Sequence, residues 1–354
     1  MQTDGRLVTR DGFDADLALP DRTRAERQPA RAAFAPKDRA KFAPFSGEET
    51  IHNLIVTTKA PAVVSAIDAV KHRLLPTSTI LFLQNGMGIV EEVNRELFPD
   101  PKLRPNHMLG INSHGLNSPS NFTVNHAGHG IISLGLVPRV PFSELAALNA
   151  ANLEIKGQAE DVWAPSSRYL LRTITRSPIL AAVALSPTDL LQAQLEKLAV
   201  NCLINPMTVL LDAPNGAVLH NFSLSRVSRL LLAEICAVIQ SLPELKGIPN
   251  VQRRFSPKRL EALTVRIATK TAENISSSLA DARRGIQTET EYMNGYIVKR
   301  GEELGIRAVM NYMLMHLVHG KTNMISREID DYVPFPEMGA GKPPASIENE
   351  EHNV

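Results

Sequence analysis

The chain has 354 residues, 44% of them hydrophobic and 21% charged, with 38 Lys and Arg set against 37 Asp and Glu. That length supports two domains of ordinary size, and a net charge of +1 leaves no global bias toward nucleic acid or an anionic membrane. Two cysteines, Cys202 and Cys236, both in apolar helical text, argue against a disulfide framework and read as buried reduced thiols.

Residues 1–47 are polar and rich in Arg, Asp and Pro, with a short strand expected at 6–9 and otherwise irregular chain. Order is expected from Asn53 onward: a β-rich run at 53–58, a helix at 61–74, a second apolar run at 79–84, then Asn85-Gly86-Met87-Gly88 and an amphipathic helix through Leu97. Strand, helix, strand, loop and helix at this spacing form a βαβ unit and predict a parallel sheet. Further strands are predicted at 107–112, 130–134 and 179–185. The last of these lies between Pro178 and Pro187, and no apolar run reaches the roughly 18 residues of a membrane span. The N-terminal text has neither a signal-peptide core nor the look of a transit peptide, so cytoplasm is the expected address.

From Thr188 the chain turns helical. Helices are predicted from 188 past 201, at 223–241 with Ser223 as N-cap, at 257–273 after Ser256, at 288–304 with Thr288 as N-cap, and at 307–318. Residues 321–354 read as an irregular tail. The organisation is thus 1–47 polar and irregular, 48–187 an α/β domain with a truncated parallel sheet, 188–320 an all-α domain, and 321–354 a tail.

Three positions of the first long helix stand out. Lys197, Asn201 and Asn205, at i, i+4 and i+8, stack on one face of a helix whose other positions are Leu198, Ala199, Val200, Leu203 and Ile204. One ammonium and two carboxamides in a buried line suit an anionic, oxygen-rich small molecule. The Asn85–Gly88 loop lies where open α/β sheets bind ligands, at the carboxyl end of a strand, although an ordinary strand-to-helix turn accounts for it equally well. Lys59 falls on the same edge, with a solvated lysine as the plain alternative. Thr288 and Glu291 are explained as a capping box, whereas Ser277 and Glu289 are not. His126 and His129 lack the cysteine or carboxylate ligands of a zinc site, and no metal is expected. The basic pairs near Arg253 are too sparse for a nucleic-acid face.

Four blocks carry a resemblance: IVTTKA, LQNGMG, KLAVNCLINPMT followed by APNG, and SSSLADARRGIQTETEYMNG. In order and spacing, from about Ile51 to Met315, they resemble the ketopantoate reductase (2-dehydropantoate 2-reductase) family. The resemblance implies a Rossmann-type domain followed by a helical domain of the 6-phosphogluconate dehydrogenase C-terminal type. It also implies NADPH-dependent reduction of 2-dehydropantoate to pantoate, for pantothenate and coenzyme A synthesis. By position, Lys197 matches the family's general acid, Asn201 and Asn205 match the residues that hold the substrate's oxygens, and Asn215 matches a further polar residue near the substrate. Ser277 matches the serine at the carboxylate end, and Asn85 an asparagine between nicotinamide and substrate. Lys59 and Leu116 match cofactor contacts, and Glu289 the glutamate that meets the cofactor ribose and orients the lysine.

Ser278 and Ala280 replace the family's Met and Gln beside the substrate serine. The family's opening strand and G-x-G-x-x-G, which cradles a pyrophosphate at a helix N-terminus, do not occur ahead of Asn53. Two other glycine pairs, Gly86-x-Gly88 and Gly339-x-Gly341, sit in the wrong context. A first βαβ unit is therefore expected to be missing, with an exposed edge on the 53–58 strand and without tight NADPH binding by this chain alone. Three readings follow: a reductase of this family, a non-catalytic binding or dimerisation module descended from it, and a sister reductase of another 2-oxo acid. A small-molecule 2-oxo acid is the expected partner, with a homodimer left open and neither nucleic acid nor membrane expected.

Overall fold

A computed structural model describes residues 2–3, 6–7, 49–120, 123–139, 163–219 and 221–331. The first unit is built on β3 (Ile51–Val56), α1 (Val63–Asp68), β4 (Leu74–Phe82), α2 (Ile89–Glu96) and β5 (Asn106–Asn112). It is completed by β6 (Gly115–Ser120), β7 (Thr123–Gly128), β8 (Ile132–Leu136), α3 (Pro165–Thr175) and β9 (Ala182–Ala184). Its main sheet has the order β3-β4-β5-β8-β9, with β3 on the edge. Strands β3, β4 and β5 are parallel, and β8 is parallel to β9.

The parallel sheet expected from the sequence is present in β3-β4-β5, and it continues into a mixed sheet, because β5 and β8 are antiparallel. A parallel return requires a crossover, usually a helix. Here the chain between Asn112 and Ile132 is taken up by the β6–β7 hairpin, which sends it back beside β5 in the opposite sense. That hairpin joins β1 (Gln2–Thr3) and β2 (Arg6–Leu7) in a second sheet of order β2-β1-β7-β6. The helix predicted at 61–74 is also shorter than expected. It runs as a 3-10 turn (Ala60–Ala62), α1, and a second 3-10 turn (Lys71–Arg73), and Leu74 already belongs to β4. Pro76 disfavours helical backbone at Leu75, so the helix has to end before it.

The second unit contains α4 (Pro187–Leu211), α5 (Phe222–Gln240), α6 (Val251–Arg254), α7 (Pro257–Lys270), α8 (Ser277–Ala282), α9 (Asn294–Glu303) and α10 (Val309–Asp331). Helix α4 is its axis. Ser186 caps it by accepting from Asp189 N at 3.1 Å, and Pro187 opens its first turn. Leu195, Ala199, Cys202 and Val209 are all fully buried, and most positions from Leu198 to Val209 are buried as well, on every side of the helix. The cap of α5 is Asn221, which accepts from Leu224 N at 3.2 Å, rather than Ser223. Thr288 caps no helix: it shares a 2.9 Å hydroxyl bond with Thr290, and α9 begins only at Asn294. Helix α10 continues through Lys321 to Asp331, into the stretch expected to be irregular. Lys321 Nζ ties it down by donating to the carbonyls of Val209 and Leu210 at the end of α4, at 2.6 and 3.0 Å.

Pro206 lies inside α4. It has no N–H to give to the Cys202 carbonyl four residues back, and an orphaned buried carbonyl is costly. Asn294, fully buried at the start of α9, fills the gap by donating Nδ2 to that carbonyl at 2.9 Å and to Asn311 Oδ1 at 3.1 Å. The carboxylate of Glu234 on α5 accepts from Met310 N and Asn311 N, which caps the first turn of α10.

Candidate active site

Where the sheet meets the helical unit, the carboxyl ends of β4 and β5 share a cleft with α4, and the end of β3 meets Glu289 and Asp281. The Asn85–Gly88 loop is held in shape by two glycines with positive φ, +88° at Gly86 and +92° at Gly88. It docks directly on the helical unit, since Met87 N donates to Tyr292 O at 2.9 Å. A Cβ on Gly86 would lie 2.6 Å from Tyr292 Cβ, so glycine is required there for space as well as for conformation.

Glu289, only 2% exposed, sits at the centre of this junction. One carboxylate oxygen accepts from Ala60 N at 3.1 Å, and the other accepts from Asn85 Nδ2 at 3.2 Å. Lys59 Nζ stands 4.0 Å from the second oxygen and 2.8 Å from Asp281 Oδ2, a carboxylate that is itself buried. A buried carboxylate is stable only with such partners. Across from Glu289, Lys197 Nζ donates to the carbonyl of Asn112, at the end of β5, at 2.9 Å. Burial lowers the Lys197 pKa from 10.5 to about 8, with the negative charge of Glu289 opposing part of that shift. The group remains an ammonium at neutral pH, but a more acidic one than an exposed lysine.

Lys197 and Asn201 line a small cleft together with Gln84, Asn85, Gly86, Gly110, Ile111, Gln194 and Leu198. A larger cleft lies between α4, α5 and α7, but it includes none of the residues singled out in the sequence. The candidate residues gather at the smaller one.

The predicted residues therefore divide. Lys197, Asn201 and Asn85 meet around one cleft, and Lys59, Asn85 and Glu289 share one polar network. Asn205 shares the helical spacing but turns its amide onto Met293 Sδ, a weak 3.4 Å contact. Asn215 donates to Thr271 Oγ1 at 3.0 Å, while its own backbone N–H donates to Asn274 O at 3.0 Å. Ser277 is exposed at the first position of α8, and Leu116, 53% exposed on β6, stands outside the network. Two residues were missed by sequence reasoning. Asp281 ends the SSSLAD block and holds Lys59, and Gln84 ends the β4 run and faces the cleft; a buried polar residue at the end of an element was the available signal. Among the described residues no group of three or more His, Cys, Asp or Glu is arranged to hold a metal ion. His114 and His126 instead share a 3.0 Å ring-to-ring hydrogen bond. No helix among the described residues is long and apolar enough to cross a membrane.

Residues 4–139 match the family model described as ketopantoate reductase PanE/ApbA, and residues 189–322 match the one described as its C-terminal part. The chain belongs to the ketopantoate reductase family. The first match begins well upstream of Ile51, where the sequence motifs start. A probable 2-dehydropantoate 2-reductase of Schizosaccharomyces pombe is 30% identical over 78% of this chain and 75% of its own length. A ketoisovalerate reductase of Gibberella fujikuroi is 29% identical over 72% of this chain and 60% of its own length. Among solved structures, a D-mandelate dehydrogenase in ternary complex with NADH superposes with a TM-score of 0.60 at 17% identity. That match covers 78% of each chain and bears on the fold alone. As a ketopantoate reductase family member, the protein is an oxidoreductase.

Proposed function

We propose that the chain reduces 2-dehydropantoate to pantoate with NADPH, and that Lys197 delivers the proton. The observation that carries this reading is the Lys197 ammonium, acidified by burial to about 8, facing Glu289 and Asn85 across a strand-end cleft. The residues fit the nicotinamide end of the cofactor, because the cleft wall contains a buried side-chain amide, Gln84, with no partner among the described residues. No G-x-G-x-x-G for the pyrophosphate precedes Asn53, and Lys59 and Leu116 are assigned as further cofactor contacts. The bound cofactor supplies a hydride to the C2 ketone.

The chain's own residues do the rest. As negative charge grows on the C2 oxygen, Lys197 donates a proton to it, leaving a neutral amine and an alcohol. Glu289 keeps the lysine protonated until then and holds Asn85 in place through Oε2. Asn201, with Asn205 once released from Met293, holds the substrate's oxygens; Ser277 is assigned the carboxylate that adjoins the C2 ketone, and Asn215 a further polar contact to the substrate. An ammonium beside two carboxamides suits a 2-oxo acid and does not suit an apolar ligand.

NADPH oxidation in the presence of 2-dehydropantoate tests the reading, with NADPH affinity measured separately by titration calorimetry. Lys197→Ala is expected to lower turnover by about 10²–10⁴-fold with little change in cofactor affinity. Unchanged turnover rejects the proton-donor role. A second reading, a sister 2-oxo acid reductase, is favoured by the buried Ser278 with Ala280 beside Ser277, and by the ketoisovalerate reductase relative. Comparing kcat/KM for 2-dehydropantoate and 2-ketoisovalerate separates the two. A chain that binds no NADPH at all instead supports a non-catalytic module. Cytoplasmic location and assembly as a homodimer complete the proposal.

A further inference from the structure

Gln84 lies just past the end of β4 and lines the cleft together with Lys197 and Asn201 of α4. Both of its amide atoms, Nε2 and Oε1, are buried without a hydrogen-bond partner among the described residues. Its neighbours are already engaged: the Asn85 amide is held by Glu289, and the Lys197 ammonium by the Asn112 carbonyl. A buried amide left wholly unpaired is unfavourable, so it marks a position where a partner is to arrive. Gly86 and Gly110 line the same cleft and bring no side chain to it, so a flat group can approach the amide closely.

An amide presents a donor and an acceptor side by side. A carboxylate offers only acceptors and would set negative charge against Oε1, whereas a primary carboxamide satisfies both atoms at once. The nicotinamide ring carries such a group on the carbon next to its hydride-bearing carbon. With the oxo acid held against Lys197 and Asn201 on the helix side, the ring occupies the sheet side. We propose that Gln84 recognises the carboxamide of the nicotinamide ring through a paired donor and acceptor contact, and so selects the carboxamide cofactor over its analogues. This rests on the reductase reading above.

The test measures Kd from the fluorescence of the reduced ring, without oxo acid, for NADPH, its 3-acetylpyridine analogue and its nicotinic acid analogue. The unmodified chain is expected to bind NADPH about tenfold tighter than the acetylpyridine form, the weight of one hydrogen bond, and to bind the carboxylate form more weakly still. In the length-matched variant Gln84→Met the first ratio is expected to fall to about one. Both ligands meet the same protein, so a folding defect cancels in the ratio. A ratio preserved in Gln84→Met, or absent from the unmodified chain, overturns the proposal and leaves the reductase reading intact. A defect confined to KM for the oxo acid assigns the amide to the substrate and overturns it as well. Failure of the unmodified chain to bind any of the three removes the reductase reading and this proposal together.

Discussion

Lys197 shows how one buried charge links stability to chemistry. Its pKa falls from 10.5 in the unfolded chain to about 8 in the fold, so between those values the unfolded state holds more protons and stability rises with pH. Lys197→Met is therefore expected to be more stable than the unmodified chain at neutral pH, on the order of 2–3 kcal/mol. That advantage shrinks as pH climbs from 8 to 10.5, as followed by denaturant midpoints across the range. The same group sets the alkaline limb of the rate: kcat/KM for reduction is expected to fall above pH about 8. Glu289 raises the Lys197 pKa, so Glu289→Gln is expected to move that limb to lower pH, and an unmoved limb separates the two residues. His107 gives the acid counterpart. Burial first, then Arg104 and Arg139, lowers its pKa from 6.5 to about 4, and it packs edge-on against Phe82. The unfolded chain takes up a proton there that the fold refuses, so stability falls as pH drops from 6.5 toward 4. His107→Gln is expected to flatten that slope in acid unfolding curves.

At the scale of elements, the loop between β4 and α2 ties the sheet to the helical unit. Gly86→Ala places a Cβ against Tyr292 and strains a positive φ, and it is expected to lower stability by about 1–3 kcal/mol in urea unfolding. Much of this arrangement is legible in the order and spacing of the residues. Lys197 and Asn201 follow from i, i+4 spacing, and the β3–α1–β4–α2 succession follows from apolar runs separated by turn residues. What stays hidden there has physical causes. Asn205 shares the spacing of Lys197, but α4 is buried on every side, so periodicity cannot say which neighbour each side chain meets. The antiparallel β8 is hidden because β6 and β7 are polar and carry no apolar alternation. Asp281 and Gln84 owe their meaning to partners far along the chain or to the lack of one, which no local pattern records.

The whole molecule is held together at the junction that forms the site. Ala60 N and Asn85 reach Glu289, Lys59 reaches Asp281, Met87 reaches Tyr292, and Lys197 reaches Asn112. Each contact joins the sheet to the helical unit. Glu289→Ala leaves the buried Ala60 N–H unpaired, a loss of about 1–3 kcal/mol, and frees the half-buried Asn85 amide, a cost borne by the junction rather than by either core. Calorimetry is expected to show one unfolding transition splitting into two in that variant, and a single transition at lower temperature argues against a separable junction. Pro206 adds a constraint of order in time. The break it makes in the bond ladder of α4 is closed by Asn294, 92 positions away from Cys202. On a ribosome the second half of α4 is made long before that side chain exists, so the middle of the helix has to wait for α9. Helix α4, the axis of its unit, is then among the last parts to be completed, and pulsed hydrogen exchange during refolding is expected to find the amides around Cys202 protected late.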